Sequence, residues 1–310
     1  MKKHEEMDLG QARLYSVAER PSKVDQGLLA GLGDGSVKGY FESLPKLLKA
    51  QDLNELISHI QAAVRAKKAL IVGLGGHVIK CGLAPLLIEL VRKEYISCLA
   101  ANGSVIIHEY ELAMFGKTSE DVAVQLSDGS FGMALETSRD LNQVIRQAAE
   151  EGIGLGQAVG RFLSENAPYA SNSLLAAAYE HEVPFTVHVA VGTDIIHQSG
   201  YADGAAIGDC SHRDFRIFCH QVSLLDGGGV YLNLGSAVVL PEVFLKALTV
   251  SRNIKGRVQD FYTAVFDMNF HYRANENVVK RPVLNGGKGY YFIGHHEIMI
   301  PLLVQGIECR

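Results

Sequence analysis

ALIVGLGGHVIKCGLAPLLIELVRKEYISCLAANGS, residues 69–104, holds two short apolar runs, each followed by a glycine turn, with a helical period between them. Parallel strands are buried on both faces and need a crossover, so this alternation is the expected pattern of a βαβ unit. The pattern predicts a strand over 69–74, a helix over 78–92, a second strand over 96–101 and, after Asn102, Gly103 and Ser104, a helix over 105–115.

Upstream, Leu47, Leu48, Leu53, Leu56, Ile57, Ile60 and Val64 recur at helical spacing. Downstream, 141–182 is helical in pattern. Strands return at PFTVHVAVG (184–192), GVYLNLG (229–235), TAVFDM (263–268) and GYYFIG (289–294). The sum is an α/β fold: a doubly wound, mainly parallel sheet with helices on both faces, whose ligands bind beyond the carboxyl ends of the strands. Residues 1–35, polar and punctuated by Pro21, Gly31, Gly33 and Gly35, are expected as an N-terminal arm on the body or on a partner subunit; 36–310 are expected as a single α/β domain.

The 310 residues are 47% hydrophobic and 20% charged, which gives ample apolar material for one large core. A net charge of -5 supplies no footprint for a phosphate backbone, so nucleic acid is excluded as an expected partner. Five cysteines without CxxC spacing read as reduced thiols, and the polar N-terminal stretch lacks the apolar run of a secretory signal, so a cytoplasmic protein is expected. Gly73, Gly75, Gly76, His77, Lys80 and Glu89 interrupt the most apolar stretch, which therefore predicts a strand turning into a helix and no membrane anchor.

Chemistry is expected where strands end. Gly73 to His77, GLGGH, closes one strand and opens a helix, a context in which backbone can approach an anionic ligand; Val78 stands where a dinucleotide fingerprint has its last glycine. Asn102, Gly103 and Ser104 repeat the context, with Ser104 equally suited to capping the next helix. GTDIIHQSGYADGAAIGD, residues 192–209, places Asp194, His197, Asp203 and Asp209 in one long loop, carboxylates for a cationic substrate or ribose hydroxyls and an imidazole for proton transfer. GHHEI, residues 294–298, adds His295 and Glu297 as a site wall, and Lys280 is a candidate for holding an imine if desolvated.

These segments, from residue 69 to the end, resemble the deoxyhypusine synthase family. GLGGHVIKCGL is similar to its first nucleotide loop, AANGSV to its second glycine turn, VPFTVHVAVGTD with ADGAAIGD to its aspartate-bearing strand and loop, and NLGSAVV, TAVFDMNF and GHHEIMIPLLV to its later segments. The resemblance implies a Rossmann-like NAD-binding fold in a homotetramer, with NAD as cofactor. It also implies oxidation of a polyamine-type amine and transfer of its alkylamine group through an imine, with a protein lysine as a candidate acceptor. It implies that Gly75, Asn102, Gly103, Ser104, Asp194, Asp209, Gly235 and Ser236 line the cofactor and substrate site; with the reading of the loops, Gly75, Gly76, Asn102, Gly103, Ser104, Asp209, Gly235 and Ser236 are expected at the cofactor, Asp194, His197 and Lys280 in catalysis, and Asp203, His295 and Glu297 at the substrate.

The chain departs from the family pattern: it has no tryptophan, Leu240, Pro241 and Glu242 occupy the place of a lysine-histidine pair, Ile106 and Ile107 that of an acidic pair, and His295 that of an aspartate. A diverged homologue with an altered substrate is therefore expected. Two alternatives stand beside it, a metal-assisted hydrolase using Asp194, His197, His295 and Glu297, and a non-catalytic ligand-binding homologue.

Overall fold

The computed structural model describes residues 3–309. Helices α1 (Val37–Ser43) and α2 (Leu48–Arg65) lead into β1 (Leu70–Leu74), which turns into α3 (Gly76–Lys80) and α4 (Ala84–Arg92). Strand β2 (Cys98–Asn102) runs directly into α5 (Gly103–Phe115), and a strap over 117–134 carries α6 (Val122–Leu126). Helices α7 (Leu135–Glu151), α8 (Leu155–Asn166) and α9 (Leu174–Glu180) precede β3 (Phe185–His188). Then come α10 (Gly204–Ser223), β4 (Val230–Leu234), α11 (Val239–Lys255), β5 (Phe261–Asp267), the one-turn α12 (Tyr272–Ala274), β6 (Gly287–Ile293) and α13 (His296–Glu308).

The six strands form one sheet in the order β3-β2-β1-β4-β5-β6, and every neighbouring pair is parallel. Successive side chains of a strand point to opposite faces, and both faces are covered, so the strands are mostly apolar, with Thr186, Asn233 and Thr263 buried among them. Val72, Leu99, Leu232, Phe266, Tyr290 and Phe292 enter one core with α2, α5, α8 and α13; Ile71, Cys98, Tyr231, Val265 and Tyr291 enter the other beneath α10 and α11. In the second core Tyr231 stacks on Phe244 with ring centroids 3.9 Å apart. Gly73 makes room for it: a Cβ there would lie 2.6 Å from the Tyr231 hydroxyl. The chain after β1 covers one face and the chain after β4 covers the other, so the reversal of winding falls between these adjacent strands.

The helix expected over 78–92 is two helices. Gly82 takes a left-handed φ of 74° between α3 and α4, and Pro85, which lacks an N–H, sits in the first turn of α4, where that donor has no intrahelical partner. The second strand begins at Cys98, two residues later than the apolar run suggests, while β5 and β6 each begin two residues earlier.

The described part of the arm, from residue 3, contains three one-turn 3-10 segments and leaves Leu14 and Leu32 almost wholly exposed. The five cysteines are free thiols, and Cys98, Cys210 and Cys219 are buried. Among the described residues no helix is long and apolar enough to cross a membrane.

Strand β3 is an edge of the sheet, and α10 occupies its outer backbone groups. The Val187 N–H donates to Asp214 Oδ2 at 2.8 Å, and the Ser211 hydroxyl accepts from the Val189 N–H and donates to the Val187 carbonyl, at 3.0 and 3.1 Å. Asp214 Oδ2 also accepts from the Gly156 N–H at 3.1 Å in the first turn of α8, so one carboxylate ties an edge strand to a helix start.

Candidate functional site

The carboxyl ends of β1, β2 and β4 meet through contacts that only glycine permits. The Gly75 N–H donates to the Leu234 carbonyl at 2.9 Å, and a Cβ on Gly75 would lie 1.9 Å from the Gly235 carbonyl oxygen. A Cβ on Gly76 would lie 2.4 Å from Ser104 Oγ, and one on Gly103 would lie 2.1 Å from Asp194 Oδ2. The turns at Gly75 and Gly103 and the Asp194 carboxylate therefore border one region at the tips of the sheet. Asn102 stands at the entry to α5 and accepts from the Ser104 hydroxyl at 3.0 Å. Ser236 is buried and accepts from the Leu240 N–H at 3.2 Å, which secures the start of α11.

Asp194 is only 8% exposed, and its Oδ2 has no hydrogen-bond partner. It lies beside the first turn of α5, where unpaired N–H groups favour negative charge. Burial nevertheless pushes its carboxyl up to about 6, with the neighbouring Thr193 hydroxyl offsetting part of that rise. His197 is oriented by backbone: its Nδ1 accepts from the N–H groups of Gly192 and Asp194 at 3.1 and 3.3 Å, so the ring proton is on Nε2. Nε2 is buried without a partner, and burial lowers the ring's affinity for a second proton.

Asp194 lines a cavity of about 190 Å³ with Lys80, Ser104, His108, Glu111 and Glu120. A neighbouring hollow of about 460 Å³ shares Glu111, Ser119 and Glu120 under the strap. Lys80, His108 and Glu111 were not singled out in the sequence, yet a signal for two of them exists: Ser104, His108 and Glu111 are spaced i, i+4, i+7 and put a polar stripe on one face of α5, apart from the buried Glu109, which is bonded to Ser173 on another.

Of the other predicted residues, Asp203 caps α10 by accepting from the N–H groups of Ala205 and Ala206 at 2.9 and 3.1 Å. Asp209 faces solvent from α10 and pairs with Arg213 at 3.2 Å. His295 and Glu297 are both exposed, 3.8 Å apart, while the intervening His296 turns inward, buried against Gly235. Lys280 lies in a π-helical segment that precedes β6, and its side chain is 60% exposed in an ion pair with Glu276 at 2.8 Å. Among the described residues no three of His, Cys, Asp and Glu gather with a geometry that could hold a metal, so Asp194, His197, His295 and Glu297 do not assemble as a metal site.

The groups lining the cavity suit a small amine or the ribose of a nucleotide. The buried, unpartnered Asp194 oxygen is an acceptor suited to ribose hydroxyls or an ammonium group, and Lys80 supplies the cation for an anionic group.

No protein-family profile and no curated protein matches the sequence. Solved structures do. AgrE, solved in a ternary complex with ornithine and NAD+, is 14% identical with a TM-score of 0.52, over 83% of this chain and 33% of its own. A protein described as LOR/SDH from Methanococcus maripaludis S2 is 14% identical with a TM-score of 0.50, over 85% of this chain and 70% of its own. A protein described as a deoxyhypusine synthase from Entamoeba histolytica is 11% identical with a TM-score of 0.49, over 87% and 90%. The chain spans about a third of the length of AgrE, and likewise of the cyanobacterial arginine dihydrolase ArgZ. At these identities the AgrE and LOR/SDH likenesses establish what the strand order also shows, an α/β fold with a six-stranded parallel sheet, and they establish nothing finer.

Proposed function

We propose that this chain is an NAD-dependent enzyme acting on a small amine, related to the deoxyhypusine synthase type and diverged in substrate. The observation that carries the reading is the Asp194 carboxylate: buried, unpartnered at Oδ2, seated against Gly103 and lining the cavity beside Lys80 and His108. A buried carboxylate oxygen without a partner is costly, and an ammonium group or a ribose diol would satisfy it. Its elevated pKa suits a group that takes a proton from an amine near neutral pH.

The cofactor would lie over the turns at Gly75, Gly76, Gly103 and Gly235, at the reversal of winding where sheets of this kind hold nucleotides. Bound there, NAD supplies a hydride acceptor. The chain's own groups orient the amine, and Asp194 holds its proton. AgrE, which shares the fold, is the neighbour solved with NAD+ and an amine together.

Lys80 narrows the substrate. It stands among the carboxylates of Asp194, Glu111 and Glu120, so an amine that also carries a carboxylate, such as the ornithine in the AgrE complex, would engage Lys80 and Asp194 at once. Lys280 is exposed and paired with Glu276 in the single chain, which lends no support to an imine at that residue. The exposed Leu14 and Leu32 of the arm support a homo-oligomer in which the arm covers a partner subunit.

Isothermal calorimetry with NAD+ and NADH, alone and with L-ornithine, putrescine or spermidine, tests the reading. Heat with a dinucleotide, and heat with an amine in its presence that is lost in Asp194→Ala with circular dichroism unchanged, are expected. Absence of heat and of any thermal shift with both dinucleotides would remove it.

A further inference from the structure

His108 is held by a short chain of hydrogen bonds that fixes which of its nitrogens carries the proton. Thr118 donates its hydroxyl hydrogen to Glu111 Oε2 at 2.5 Å, so its oxygen is left to accept from His108 Nδ1 at 2.9 Å. The other oxygen of Glu111 accepts from the Thr137 hydroxyl at 3.1 Å, which anchors the carboxylate from α7. The Nδ1–H tautomer follows, and it leaves a lone pair on Nε2. That nitrogen has no hydrogen-bond partner among the described residues, and the ring lines the cavity with Asp194 and Lys80. Its Cδ2 lies 3.2 Å from where a Gly76 Cβ would stand, so the ring packs beside the glycine turn.

We propose that His108 is a specificity-determining residue of this cavity, a fixed hydrogen-bond acceptor at Nε2 that reads an N–H of the bound amine. Burial and the Lys80 charge push the ring down to about 4, so it remains neutral and able to accept at physiological pH. The division of labour is then between two different acceptors. Asp194 balances the charge of an ammonium group, which any cation satisfies, whereas His108 demands a hydrogen on nitrogen, which a quaternary ammonium group lacks. Thr118 and Glu111 act through His108 as positioning residues, and because Thr118 belongs to the strap, the acceptor is set only when the strap lies over the cavity.

The inference rests on the amine reading above, and its test separates the two. Calorimetry on the full chain with NADH present compares L-ornithine with its analogue methylated to quaternary ammonium at both nitrogens, which keeps both positive charges and removes every N–H. Ornithine is expected to bind about 10- to 100-fold more tightly, since a site built around a hydrogen bond rejects a ligand that cannot make it. In His108→Phe this preference should collapse to within about threefold, as expected when the selecting hydrogen bond is gone; in His108→Gln, which keeps an acceptor, part of it should return. Nitrogen-15 NMR of labelled histidine, with the His108 signal identified by its loss in His108→Gln, should show the Nδ1–H tautomer at pH 7 in the wild type and in Thr118→Ser, and a mixture in Thr118→Val.

A wild-type Nε2–H tautomer, or a preference for ornithine that survives in His108→Phe because the methyl groups are merely too large, overturns the assignment. Heat with NADH but none with ornithine also overturns it. Absence of heat with NADH itself instead sinks the NAD reading, and the tautomer still decides whether His108 is held as an acceptor.

Discussion

Two aspartates near β3 are buried by the same device and put to opposite uses. Asp214 and Asp194 each lie where a glycine leaves room: a Cβ on Gly154 would be 1.8 Å from Asp214 Oδ1, as one on Gly103 would be 2.1 Å from Asp194 Oδ2. Burial raises both, Asp214 to about 7 and Asp194 to about 6. Asp214 is engaged by the backbone of Val187 and Gly156 and faces the Leu155 N–H, so it is a structural tie between β3, α8 and α10. Each nevertheless keeps one oxygen without a partner, Asp214 Oδ1 and Asp194 Oδ2, and each borders a cavity, of about 590 and 190 Å³. A raised carboxyl therefore does not by itself mark a site; what distinguishes Asp214 is that its Oδ2 takes backbone N–H groups from two separate elements, β3 and α8.

The largest test of that contrast is Asp214→Ala, which leaves the Val187 and Gly156 N–H groups buried and unsatisfied at roughly 1–3 kcal/mol each. A loss of about 3–5 kcal/mol in urea unfolding is expected; a loss under about 1 kcal/mol would mean the tie is dispensable.

Asp194→Asn should go the other way. The folded carboxyl titrates near 6 and an unfolded one near 3.8, so the folded state binds more protons between those values and loses stability as pH rises through that window. Above it the charged form costs about 3 kcal/mol. The variant should thus be more stable than the wild type at pH 7 by up to that amount, converge with it near pH 4, and lose ornithine binding in the presence of NADH. Urea midpoints at the two pH values check this, and a destabilised variant at pH 7 would make Asp194 a second structural tie.

Gly103→Ala places a methyl group on the Asp194 carboxylate. Overpacking of this kind costs about 1–3 kcal/mol, and NADH affinity should fall at least 10-fold by calorimetry if the displaced carboxylate belongs to the site. The smallest effect is expected for Lys280→Ala, because an exposed ion pair contributes at most about 1 kcal/mol. Unfolding midpoint and NADH affinity should both match the wild type, and a large loss of either would return Lys280 to consideration.

The sheet was legible in the sequence because a strand covered on both faces must be apolar along its length, and ALIVGL, VYLNL and TAVFD have no other explanation. The convergence of Gly75, Gly103 and Asp194 was legible for a related reason, since parallel strands bring their C-terminal turns to one end of the sheet. Residue types alone could not say which polar groups of a loop face that end. Asp203 is absorbed by a helix start and Asp209 lies on the outer side of α10, though both share the Asp194 segment. In GHHEI the phase at the start of α13 buries His296 and exposes its two neighbours, a distinction of one residue that no composition reveals. His108 and Glu111 were within reach through their spacing from Ser104, but the strap that makes Thr118 their partner comes from outside the helix.

The side chains of α10 along β3 have a consequence for how copies of this chain can meet. An edge strand with free N–H and carbonyl groups is a template on which another strand can add, the usual start of uncontrolled self-association. Here Asp214 and Ser211 already occupy the Val187 and Val189 positions, and the Phe185 carbonyl is pressed against Gly156. An incoming strand would find no ladder to extend on that flank, so orderly assembly there must proceed through helix surfaces or the arm, and the sheet is sealed against fibre-like growth from that side.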